Sequence, residues 1–101
     1  QVIGLILDAD TERPIPGAYF IVLQPGVRTR TFLRLGDETM IFAKGEADQF
    51  GQFTLGQNLK RGESYNLVAG AEGYQTLTQE NYLISTDESS PLELEIYLQK
   101  R

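Results

Sequence analysis

Leu92-Glu93-Leu94-Glu95-Ile96-Tyr97-Leu98 alternates apolar and polar residues without a break. Period two places Leu92, Leu94, Ile96 and Leu98 on one face and Glu93, Glu95 and Tyr97 on the other, which is the signature of a half-buried β-strand. Working backward, Tyr65, Leu67, Ala69 and Ala71 share one face, with Ser64, Asn66, Val68 and Gly70 on the opposite one. Phe53 and Leu55 alternate inward after the tight turn Asp48-Gln49-Phe50-Gly51. Two earlier runs, Val2-Ile3-Gly4-Leu5-Ile6-Leu7 and Ala18-Tyr19-Phe20-Ile21-Val22-Leu23, are apolar on both sides and too short for helices. They read as well-covered strands.

Met40 to Ala43 adds a strand, followed by polar Lys44 to Asp48, and Thr76 to Ile84 is mixed and weakly strand-like. Turns fall at Asp8 to Gly17, Pro25-Gly26, Lys60 to Glu63 and Glu72-Gly73-Tyr74, and residues 85–91 read as a polar loop. About seven short strands separated by Gly/Pro turns predict an all-β fold, an antiparallel seven-stranded Greek-key β-sandwich. Alternating strand–helix units are missing, which argues against a parallel α/β sheet. Between the second and third strands, Gln24 to Thr39 makes a long link. Phe32 and Leu35 there stand three apart and Thr31 and Leu35 four apart, spacing that suits a short helix; period-two alternation from Val27 to Leu35 keeps a strand as the rival. The segment would lid an open end of the sandwich with Phe32, Leu33 and Leu35, or present a partner-binding face with Arg28, Arg30 and Arg34.

The 101 residues fit one domain, 1–101. The chain begins at Gln1 with no secretory leader pattern, and reads as an excised domain or mature fragment. No apolar run approaches a membrane span. His, Cys and Trp are all absent. Their absence excludes Ser-His-Asp and Cys-His nucleophilic catalysis, ordinary zinc sites and disulfides. Nine Lys+Arg against 14 Asp+Glu give a net charge of −5, which argues against nucleic acid as a partner.

Several motifs then stand in order: Gly4 to Leu7 followed by Asp8 and Thr11; Pro14-Ile15-Pro16-Gly17-Ala18; Asp48 to Leu55; Leu59-Lys60-Arg61-Gly62; Tyr65-Asn66-Leu67; and Ala71-Glu72-Gly73-Tyr74. The set resembles the carboxypeptidase regulatory-like domain, a transthyretin-like (prealbumin-like) β-sandwich, across nearly the whole chain. On that resemblance Pro14, Pro16, Gly17, Asp48, Gly51, Phe53, Gly73 and Tyr74 are turn and core residues. Gly17 and Gly51 would take positive φ, and Tyr74 would fold over one end with its hydroxyl wet. The resemblance implies a non-enzymatic accessory module beside a neighbouring domain of a larger bacterial protein, in a secreted or periplasmic setting. Transthyretin-like hydroxyisourate hydrolases and the related intradiol dioxygenases need histidine, which this chain lacks. Collagen-adhesin B-type repeats form an isopeptide bond from a first-strand Lys to a late Asn. Residues Val2 to Ala9 contain no Lys, and Leu92 to Leu98 contain no Asn.

No cofactor is expected. Asp8, Asp10 and Glu12 alternate as hard oxygen ligands would, but the loop's sixth position is Arg13 and its twelfth is Tyr19. A calcium loop needs Gly and Glu there, so a solvated acidic turn is the reading. Asp37, Glu38, Glu46 and Asp48 form a second acidic set that could gather at one end of the sandwich. The alternative to the accessory role is a module for protein, peptide or glycan. It would use Arg28, Arg30, Phe32 and Arg34, or the tyrosines Tyr19, Tyr82 and Tyr97, read as outward-facing.

Overall fold

A computed structural model describes residues 2–84 and 92–101. Strands β1 (Val2–Asp8) and β2 (Tyr19–Leu23) are followed by the helix α1 (Thr29–Leu35) and a single 3₁₀ turn, Glu38–Met40. Then come β3 (Ile41–Glu46), β4 (Gln52–Thr54), β5 (Ser64–Gly70), β6 (Leu77–Leu83) and β7 (Leu92–Leu98). They form two sheets, ordered β4-β1-β7 and β3-β2-β5-β6, packed face to face. The predicted polar loop at 85–91 and the inward placing of the Leu92 side chain lie outside the described residues.

Between the sheets, Val2, Ile6, Phe53 and Leu98 of one meet Phe20, Val22, Ala43, Tyr65, Leu67 and Ala69 of the other. Alternation does what the pattern of β7 requires. Glu93, Glu95 and Tyr97 are exposed, Leu94 and Ile96 are half-buried, and Leu98 is buried. Phe53 is the plug of the core. Its ring stacks on Phe20 across the sandwich at 4.9 Å between centroids. It fits because Gly4 and Gly45 have no side chains: a Cβ on Gly4 would sit 2.1 Å from the ring, and one on Gly45 would sit 2.9 Å from it. β3 runs on through Gly45 to Glu46, into the stretch read from sequence only as polar.

One strand pairing departs from the antiparallel expectation. β1 and β7 are parallel, in register from Val2 opposite Leu92 to Asp8 opposite Leu98. Side-chain alternation is identical in parallel and antiparallel pairs, so period two carries no information about direction.

The long link does form a helix, but it does not lid an end. α1 lies across the outer face of the four-stranded sheet. Phe32 packs there with Ile21, Leu23 and Val68 in a second small core, flanked by Tyr19, Val27, Met40 and Ile41. β2 is apolar on both faces, so its outer face needs a cover. Leu33 and Leu35, expected in the lid, are about half exposed. The helix stops at Gly36, whose left-handed backbone (φ 62°) turns its N–H back to the Phe32 carbonyl.

Candidate functional site

Three polar sets stand out in the sequence: the acidic turn at Asp8, the acidic residues from Asp37 to Asp48, and the arginines of the long link. At the acidic turn, Asp8 ends β1 buried, with 2% exposure. One carboxylate oxygen accepts the backbone N–H groups of Asp10 at 2.8 Å and Thr11 at 3.0 Å. The other accepts the Tyr74 hydroxyl at 2.7 Å and faces the Lys100 ammonium at 3.7 Å. The Tyr74 hydroxyl, with help from the turn amides, pulls the Asp8 pKa from 3.8 down to about 2. The same bond raises the pKa of Tyr74. The Tyr74 hydroxyl, expected to be wet, is bonded to a buried carboxylate 66 residues away. Backbone bonds close the same end: Arg101 N–H to the Gly73 carbonyl, Gln75 N–H to Gln99 and Ala9 N–H to Leu98. Asp8, the first of the weak metal candidates, is a knot tying both chain ends to the middle. Asp10 and Glu12 are exposed beside it.

In the second acidic set Asp37 and Asp48 are likewise tied into turns, while Glu38 and Glu46 are exposed on the 3₁₀ turn and at the end of β3. Asp37 accepts both the N–H and the hydroxyl of Thr39, which lower its pKa. Asp48 accepts the N–H groups of Phe50 and Gln52, at 2.8 and 3.0 Å. Gly51 completes that turn at φ 78° and is pressed so close to Ile6 and Pro14 that a Cβ would stand 2.7 Å from the Ile6 carbonyl oxygen. Pro14 bridges to Leu7, Gly17 at φ 78° donates to the Ala47 carbonyl, and exposed Pro16 sits between them. Among the described residues, three or more metal-ligating side chains do not converge anywhere.

The candidate binding residues separate. Arg28 and Arg30 flank a polar groove of about 540 Å³, bounded on the far side by Ser64, Asn66, Glu80 and Asn81. Arg34, in the last turn of α1, does not line it. Phe32 is only 9% exposed and belongs to the outer core, so it cannot present a face to a partner. Tyr97 lies on the other sheet, 42% exposed, its hydroxyl donating to Glu95. That bond raises the Tyr97 pKa. Tyr19 and Tyr82, read as outward, are half-buried against the outer and inner cores respectively. The three tyrosines make no common platform.

The groove owes its shape to residues that the sequence reading passed over. The first backbone N–H and the hydroxyl of Thr29 both donate to Glu80, at 3.0 and 2.6 Å, so a β6 carboxylate supplies the helix cap that α1 lacks locally. These bonds, aided by the Arg28 charge, lower the Glu80 pKa. Asn66 donates to the Val27 carbonyl at 2.7 Å and accepts the Asn81 N–H at 2.8 Å. Asn81 sits at φ 54°, where the β5–β6 register slips. The polar triplet Gln79-Glu80-Asn81, interrupting a weak strand, was the available signal. No helix among the described residues is long and apolar enough to cross a membrane. A comparison of the chain with protein-family models and with curated proteins found no match.

Proposed function

We propose that the chain is a non-catalytic accessory module of the carboxypeptidase regulatory-like, prealbumin-like Greek-key kind. It supports or positions a neighbouring domain of a larger, extracytoplasmic bacterial protein. The observation that carries this reading is the employment of its displaced polar groups. Asp8, Asp37 and Glu80 are held ionised by bonds that build turns and a helix cap, and Tyr74 and Tyr97 are held neutral. A general acid–base catalyst needs a group poised near the working pH; each of these is driven away from it. The test is turnover of a panel of peptidase, esterase and glycosidase substrates by the purified chain. No turnover is expected. Turnover that disappears in Asp8→Asn or Glu80→Gln would overturn the reading.

A second reading rests on the groove of Arg28 and Arg30. Two guanidinium groups beside the Asn66 and Asn81 amides suit a carboxylate-bearing peptide or an acidic glycan. Glu80 already engages Thr29, so its negative charge is partly spent before any ligand arrives.

A further inference from the structure

The two sheets are unequal, and the inequality falls on one side. β4 packs beside β3 and β7 over β5, which leaves β6 without an opposite strand in the three-stranded sheet among the described residues. The place it would occupy, next to β7, is a cavity of about 320 Å³. Phe20, Leu67, Leu94, Ile96, Leu77 and Tyr82 line it, and Gln79, Glu93 and Glu95 add a polar border. Leu94 and Ile96 remain half-buried there, although the same face of β7 is fully buried at Leu98.

The backbone beside this cavity has a defined polarity. The Leu98 carbonyl accepts from Ala9 of the β1 side, and the Gln99 carbonyl accepts from Gln75 on the opposite side. Backbone groups alternate sides along a strand. The N–H and C=O groups of Glu93, Glu95 and Tyr97 therefore point to the outer edge of β7, to which no described strand is paired. An unpaired edge bordering an apolar cavity is a template for an added strand.

We propose that this edge is a strand-acceptor site for an extended segment of a partner protein in which apolar residues alternate with Lys or Arg. The apolar side chains would enter the cavity. The basic ones would stand on the outer face beside Glu93 and Glu95, where opposite charges on neighbouring strands attract. The same carboxylates disfavour a second copy. Antiparallel pairing of two β7 edges sets Glu against Glu, and each copy carries a net charge of −5. Such an edge deepens the accessory-module reading and rests on it for its use. Turnover in the substrate panel would end that reading without changing what a peptide does at β7.

The test is amide exchange and chemical-shift mapping by NMR with the peptide acetyl-Lys-Val-Lys-Val-Lys-Val-Lys-amide, at millimolar concentration. A second peptide with Glu in place of each Lys serves as comparison. The Lys peptide should slow exchange at Glu93, Glu95 and Tyr97 by about tenfold or more, while the Glu peptide leaves them unchanged. The double variant Glu93→Lys/Glu95→Lys, altered only at exposed positions, should reverse that preference. Four results would overturn the proposal: equal effects from both peptides, shifts centred away from β7, no protection from the Lys peptide, or protection of these three amides already in the free protein. Protection that grows with protein concentration alone would replace the partner by a second copy.

Discussion

On one side of the sandwich, β3 turns into β4 through Asp48 and Gly51, and the Phe53 ring fills the gap between the sheets. Ala43, Ala47, Phe53 and Leu55 are all at most 7% exposed there. On the other side β6 and β7 stand apart, Leu77 is 43% exposed and a cavity remains. β4 and β7 both turn apolar side chains inward, but β6 is mixed, with every side chain except Tyr82 exposed. The connection differs too: a tight turn brings β4 against β3, while β6 joins the four-stranded sheet and leaves β7 at an edge. Closure of a sandwich thus follows from which strands the chain can bring opposite each other, and a well-patterned strand alone does not secure it.

The largest effect should come from the closed side. Phe53→Ala removes the plug between Gly4 and Gly45, which have no side chains to fill the space. A loss of about 3–5 kcal/mol in chemical denaturation is expected. On the open side, Ile96→Ala removes a half-buried side chain already facing a cavity, and should cost only about 1–2 kcal/mol. Equal losses at the two positions would break the comparison.

Phe32→Ala tests the outer core by itself. It should destabilise by about 2–4 kcal/mol and detach α1 from Ile21, Leu23 and Val68, exposing apolar surface to a hydrophobic dye. If α1 merely lidded an end, the β2 and β5 amides would not respond; here their exchange should quicken.

A smaller effect is reserved for the knot at Asp8. Its folded pKa, about 2, lies below the ordinary value of 3.8. The stability it contributes is therefore fully present above about pH 4 and is lost as pH falls toward 2. Tyr74→Phe removes the largest cause of that shift. The variant should be less stable at neutral pH, and its melting temperature should fall less than the wild type's between pH 4 and 2. A parallel pair of curves would show that Asp8 does not depend on Tyr74.

Much of this was legible in the sequence, for local reasons. β5 and β7 announce themselves by period two, and the Asp48–Gly51 turn by residues that bond their own backbone. The cover on β2 was also written there: Ile21, Leu23 and Val68 are apolar on the face opposite Phe20 and Leu67, and a surplus of that kind requires something to bury it. The parallel direction of β1 and β7 was not legible, because alternation is blind to direction. Nor was the bond from Tyr74 to Asp8, which joins residues remote in sequence, or the cap that Glu80 lends to Thr29. The candidate arginines were separated by their place along α1: Arg28 and Arg30 stand at its start beside the groove, Arg34 lies on the same face one turn further on, and Phe32 faces the sheet and is buried.

Amide hydrogen exchange along β7 in the free protein tests the central claim most directly. An open edge predicts a strict alternation: Glu93, Glu95 and Tyr97 exchange quickly, while Leu94, Ile96 and Leu98, bonded to β1, are protected. Uniform protection along the strand would show that the edge is already filled, and would contradict it.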